Sequence, residues 1–181
     1  MKIIALPLLF FITISHAQEL KTLTGKVSFS SALPTQLVDA YSEQLMVKYD
    51  TLTQKLNFKV LISSFQFSNC SREVEKYFND IYMESNRYHW ASFEGNITDT
   101  LYSIPNQKKI LHAMGNLSIH GVSVKRNITG YIYKTLKNEI VLESNFNVTL
   151  AEHGIKILPD DITRLAPTVQ VNMTATLKYT P

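Results

Sequence analysis

Cysteine occurs once in this chain, so no disulfide can close within it. Cys70 reads as an inert thiol in the loop after Phe67, and an intermolecular bridge is the other use it could have. Stability must then come from packing. A charge of one sign is also lacking: 18 Lys and Arg stand against 15 Asp and Glu, and no basic run exceeds the pairs Lys108-Lys109 and Lys125-Arg126. Nucleic acid demands a basic stripe to neutralise its phosphates, and that partner class drops out. After the N-terminus no apolar run approaches the roughly 20 residues that cross a bilayer as a helix. No repeat, low-complexity tract or linker breaks the chain, which reads as one domain.

Catalytic and metal-binding patterns are missing as well. There is no Gly-x-Ser-x-Gly elbow and no cysteine–histidine neighbourhood, and Asp160-Asp161 sit in a turn-like stretch after Pro159. His112 and His120 share a strand face but are about 26 Å apart along an extended chain. His89 and His153 fall in turns. No metal, no cofactor and no enzymatic activity are expected.

What is present is alternation. The first 17 residues stand apart: Lys2, an apolar run from Ile3 to Ile14, then Ser15-His16-Ala17 as a small-x-small cleavage site. That is a signal peptide, with the domain running from Gln18 to Pro181 outside the cytoplasm, periplasmic or secreted. Within the domain, apolar and polar residues alternate with period two near 22–30, 43–49, 54–62, 91–98, 108–120, 122–134, 138–150 and 168–179. Leu56, Phe58, Val60 and Ile62 share a face against Lys55, Asn57 and Lys59; Leu111, Ala113, Leu117 and Ile119 oppose His112, Asn116 and Ser118. The segment 43–49 alternates poorly. Short turns such as His120-Gly121 and Lys137-Asn138 make the neighbours antiparallel. Between Ile62 and Ala91, Val74, Tyr77, Phe78, Ile81 and Tyr82 recur at helical spacing. The expected fold is all-β, an eight-stranded antiparallel barrel with one short helix between Arg72 and Tyr82.

Six Asn-x-Ser/Thr sequons occur, at Asn69, Asn96, Asn116, Asn127, Asn147 and Asn172. In five of them an apolar middle residue faces inward, and an Asn- and Thr-rich outer face produces the pattern without any role in glycosylation. The inner face mixes large groups with small ones: Gly25, Ala91, Gly95, Ala113, Gly115, Gly130 and Ala175. Small residues at a barrel wall either relieve bending strain or leave volume for a ligand, and the pattern leaves both readings open. Only Arg126 and Ser144 interrupt the apolar phase. A bulge turning Arg126 outward is expected in preference to a contact with an acidic head group, because an unpaired buried charge is costly. Any ligand must be apolar; ten buried methylenes would contribute about 8 kcal/mol gross, roughly micromolar before ordering costs.

Two stretches resemble the YceI-like family of exported lipid-binding proteins. The first is Tyr77-Phe78-Asn79-Asp80-Ile81-Tyr82-Met83-Glu84-Ser85, followed by Arg87-Tyr88 and Phe93-Glu94-Gly95. The second, Gly115-Asn116-Leu117-Ser118-Ile119-His120-Gly121-Val122, is similar to the family's Gly-x-Leu-Thr-Ile-His-Gly-Val hairpin; a weaker third runs from Phe146-Asn147-Val148 to His153-Gly154-Ile155. The chain departs from the pattern at His89, where the family has proline, and at Ser123-Val124-Lys125-Arg126. The resemblance implies an extended lipocalin-like barrel that holds an isoprenoid or fatty chain without catalysis.

The expected wall of such a barrel is Val27 and Phe29 on the first strand, Phe58 and Val60 on the third, and Phe93 and Ile97 on the fourth. Leu117 and Ile119, Phe146 and Val148, and Val171 and Met173 complete it. Phe65, Phe67, Phe78, Ile81 and Tyr82 would line or lid the mouth. The alternative is a barrel packed solid that serves as a structural or protein-interaction module. Oligomeric state stays open, a homodimer included.

Overall fold

The computed structural model describes residues 19–33, 36–68, 71–99 and 104–180. The expected signal peptide, Cys70 and the sequon at Asn69 lie outside the described residues. Strands β1 (Glu19–Leu33), β2 (Gln36–Ser42), β3 (Met46–Asp50), β4 (Lys55–Leu61), β5 (Gln66–Phe67), β6 (Trp90–Ile97), β7 (Lys109–Ile119), β8 (Val122–Lys134), β9 (Ile140–Thr149) and β10 (Thr168–Thr180) form one antiparallel sheet. Pairing of β1 with β10, from Glu19↔Thr180 to Ser30↔Gln170, closes it into a barrel.

These segments make eight staves, as the alternation predicts. β2 and β3 pair with β1 in one register series, Leu33↔Gln36 to Val27↔Ser42 and on to Lys21↔Lys48 and Glu19↔Asp50, so they are a single strand bent at 43–45. β4 and β5 follow each other along β3 and β2 in the same way, with a 3-10 turn at Ile62–Ser64 absorbing extra residues. The two breaks are joined by hydroxyls: the Gln44 N–H donates to Ser42 Oγ (3.1 Å), Ser42 Oγ lies 2.6 Å from Ser64 Oγ, and Ser64 Oγ donates to the Leu61 carbonyl (2.6 Å). That chain satisfies backbone groups that the interrupted ladder leaves unpaired.

The sequence reading missed β2. Of its inner positions, Ala40 is small and Ser42 polar, leaving only Val38 as a sizeable apolar group, so the segment lacks a strong apolar phase. A register shift between Thr22 and Thr24 also changes the inner face of β1: Leu20 is buried below the shift, Val27 above it.

Helix α1 (Arg72–Tyr77) continues into a π-helical turn, Phe78–Tyr82, within the expected limits. The wider turn is closed by the Met83 N–H on the Phe78 carbonyl at 2.9 Å, and Glu84 at φ 42° ends it.

The lower half of the barrel is solid. Leu20, Tyr49, Leu56, Ile97, Leu111, Ile132, Ile140, Leu142, Ala175 and Leu177 are all buried there. The glycines belong to close strand approach rather than to hollow space. A Cβ on Gly115 would stand 2.2 Å from the Glu94 carbonyl oxygen and 2.4 Å from Gly95 Cα; one on Gly25 would stand 2.2 Å from the Leu45 carbonyl oxygen. The five described sequon asparagines are exposed, and their middle residues Ile97, Leu117, Ile128, Val148 and Met173 are buried.

Candidate functional site

Above the packed half the barrel is hollow. A cavity of about 800 Å³ opens at the end where α1 sits, within the size range of small-molecule pockets. Its floor is Phe58 and Met173, which also border a void of about 20 Å³ beneath them. Phe58 lies stacked on Phe93, centroids 5.0 Å apart, so the floor is braced from the side by a fully buried ring. Four phenylalanines gather at the upper wall: Phe78 stacks on Phe29 (5.6 Å) and meets Phe67 edge-on (5.0 Å), and Phe65 is 5.3 Å from Phe29.

Nearly all the polar side chains of the lining lie on two segments at the mouth: Glu73, Tyr77 and Tyr82 on one, Asp160, Asp161 and Arg164 on the other. Asp161 Oδ2 accepts hydrogen bonds from the Tyr77 hydroxyl (3.1 Å) and the Tyr82 hydroxyl (2.5 Å). Burial first, and then this carboxylate, push the Tyr82 phenol well above its usual range, so both phenols stay donors. The second segment is tied down in turn, with the Ala166 N–H donating to buried Ser31 Oγ at 2.8 Å. The mouth is therefore bounded by two chain segments about eighty residues apart and latched by one carboxylate.

Of the expected wall, Val27, Phe29, Phe58, Val60, Leu117, Ile119, Phe146, Val148, Val171 and Met173 line the cavity. Phe93 and Ile97 do not: Phe93 stands behind Phe58, and Ile97 belongs to the packed half. Of the expected mouth, Phe65, Phe67, Phe78 and Tyr82 line it, whereas Ile81 is half exposed and turned away. The reading missed Val38 with the strand it missed, Leu45 at the bend of the poorly alternating segment 43–49, and Met83, Ile155 and Leu165, which sit in irregular segments with no periodic signal. Leu150 and Val169 carried the inward phase and could have been found by it.

Arg126 corrects the expectation of a bulge. The β7–β8 register runs unbroken from Lys109↔Ile132 to Ile119↔Val122, with Arg126 opposite Gly115. β8 and β9, however, pair only between Gly130–Lys134 and Ile140–Ser144, so above that level they part. Arg126 fills the parting and its guanidinium pairs with Glu152, in the 3-10 turn Leu150–His153. Neither a bulge nor a ligand head group is needed.

The same corner gathers the three sequence stretches noted above. His120 Nε2 lies 2.8 Å from Glu84 Oε2, the Tyr88 ring packs edge-on to His120 (4.6 Å), and His153 Nδ1 donates to the Val122 carbonyl at 3.1 Å. Glu84, His120, Gly121 and Gly154 all have positive φ. Gly121 is required there, since a Cβ would stand 2.4 Å from the Tyr88 ring. Glu84, Tyr88, His120, Gly121 and His153 thus fix α1 and the β7–β8 hairpin beside the mouth without lining the cavity, whereas Phe78, Tyr82, Leu117, Ile119, Phe146 and Val148 of the same stretches do line it. Among the described residues, no group of three His, Cys, Asp or Glu side chains could hold a metal ion, and no helix is long and apolar enough to cross a membrane.

A small antiparallel barrel, solid at one end and hollow and apolar at the other, is a defined class of architecture. No family profile and no curated protein matches the chain in sequence. Solved structures match it in fold. A polyisoprenoid-binding domain from Saccharophagus degradans, implicated in plant cell wall breakdown, superposes with a TM-score of 0.75 at 12% identity, covering 89% of this chain and 98% of that one. BcnA of Burkholderia cenocepacia gives 0.65 at 15% identity over 85% and 96% of the two chains. The YceI protein of Campylobacter jejuni gives 0.53 at 15% identity over 100% and 99%. The chain folds as the YceI proteins do.

Proposed function

We propose that this protein is a non-enzymatic carrier of one apolar chain, isoprenoid or fatty-acid-like, in the cell envelope, and that it belongs with the YceI-like proteins in function as well as fold. The observation that carries the reading is the cavity: about 800 Å³, floored by Phe58 and Met173 and walled by aliphatic and aromatic side chains. A solid barrel would serve the alternative, a structural module, but only the lower half is packed. The likeness to a polyisoprenoid-binding domain supports the same ligand class. Binding by shape and apolar burial needs no hydrogen bonds along the chain, and polar groups cluster only where a head group would emerge.

Organic extraction of the purified protein followed by mass spectrometry tests the proposal: a stoichiometric lipid is expected. Uptake of a fluorescent fatty acid is expected to be lost in Phe146→Asp, which puts a carboxylate into the wall, and retained in Asn147→Asp on the exposed face of the same strand. Neither lipid nor uptake in the wild type, or equal loss from both substitutions, would refute it.

A further inference from the structure

The two segments that bound the mouth carry an apolar collar on their outer side. Val74, Tyr77 and Ile81 are exposed on one segment, and Leu158 and Ile162 on the other, Ile162 to 63%. Exposed apolar groups gathered at one site mark a docking surface. Val74 and Tyr77 also line the cavity, so the collar and the interior form one continuous apolar surface. Charges on the same segments nearly balance: Arg72, Lys76, Lys156 and Arg164 against Glu73, Glu75, Asp80, Asp160 and Asp161, with Lys76 paired to Asp80.

We propose that the collar docks on a zwitterionic lipid surface, so that an apolar chain passes between bilayer and barrel without crossing water. Continuity is the first argument. A chain that fits this cavity partitions into lipid at about 0.8 kcal/mol per methylene and is scarcely present in water, so exchange demands contact with the bilayer, and the apolar collar borders the opening where that contact must occur. Charge is the second. A headgroup layer of alternating phosphate and ammonium matches a rim of mixed, nearly cancelling charge, whereas an anionic surface or a strongly charged protein partner would call for an excess of one sign. The inference rests on the carrier reading.

The experiment pairs flotation of the protein with phosphatidylcholine vesicles with the rate at which a fluorescent fatty acid moves from those vesicles into the protein. Wild-type protein is expected to float with the vesicles at low and at high salt, and transfer is expected to quicken as protein concentration rises, the mark of collision. Leu158→Asp and Ile162→Asp, at positions outside the cavity lining, are each expected to slow transfer about tenfold, the worth of one lost apolar anchor, while uptake from water stays unchanged. Transfer limited by desorption and independent of protein concentration would overturn the proposal. So would variants as fast as the wild type, or flotation confined to anionic vesicles. Should the wild type take up no fatty acid from either source, the carrier reading fails, and flotation alone then decides whether the collar docks.

Discussion

His153 is fully buried and hydrogen-bonded through one nitrogen only; among the described residues its Nε2 has no partner, and neither does Arg126 Nε close by. Burial, with Arg126 adding to it, lowers the pKa of the imidazole below its ordinary value, against smaller opposing effects of the Val122 carbonyl and Glu152. The ring therefore takes up a proton less readily in the folded protein than in the unfolded chain. An unfolded histidine titrates at about 6.5, so around that pH the unfolded chain binds more protons than the folded one. Stability from this residue is fully present above the unfolded pKa and falls as pH drops through it, at most about 1.4 kcal/mol per pH unit for one proton. Thermal denaturation between pH 7 and 5 is expected to slope downward in the wild type and to flatten in His153→Asn, whose amide can still donate to Val122. Parallel curves would show that His153 takes up its proton freely in the fold. At this scale the sequence was half legible. It marked His153 as a turn residue and Arg126 as a charge in the wrong phase, but it held no sign that β8 and β9 part, and that parting is what gives both residues their surroundings.

At the scale of elements, the alternation located every stave of the barrel, because an inward residue at every second position is a local signal. It failed where the inner residue is small, as in β2, and where a register shift moves the phase, as between Thr22 and Thr24. The α1 segment was found from its spacing. Its clasp to Asp161 joins residues about eighty apart in sequence and leaves no trace in either stretch alone. That clasp gives a test. In Asp161→Ala the hydroxyls of Tyr77 and Tyr82 lose their shared acceptor, and α1 is held by the Phe29–Phe65–Phe67–Phe78 cluster, the Phe67 N–H on Glu75 and the Glu84–His120 contact. Hydrogen exchange over 72–82 is expected to quicken, and release of a bound fatty acid with it, while protection of β7 and β10 stays at the wild-type level. Unchanged exchange in 72–82 would show that the remaining contacts hold the segment without the carboxylate.

The whole molecule divides its work between two halves. Backbone contact at Gly95 and Gly115 and aliphatic packing around Ile132 and Leu142 close the lower half, and that rigid base lets the upper half stay hollow without collapsing. Composition gave no hint of where solid gives way to hollow: small and large inner residues occur at both levels, and the boundary is set by Met173 and by the Phe58 ring lying flat against Phe93. If that ring ends the cavity, its size sets the length of chain that fits. Phe58→Ala would join the cavity to the void below it, at a cost of about 3–5 kcal/mol for a phenylalanine removed from a core. That is a large share of a domain's typical stability of about 5–15 kcal/mol, so Phe58→Leu serves as the milder companion. Competition among fatty acids of increasing length is expected to shift its optimum toward longer chains in both variants, more in Ala than in Leu, while urea unfolding reports the stability lost. An optimum that stays put while stability falls would place the end of the chain above Phe58, leaving length to be set by the wall or the mouth.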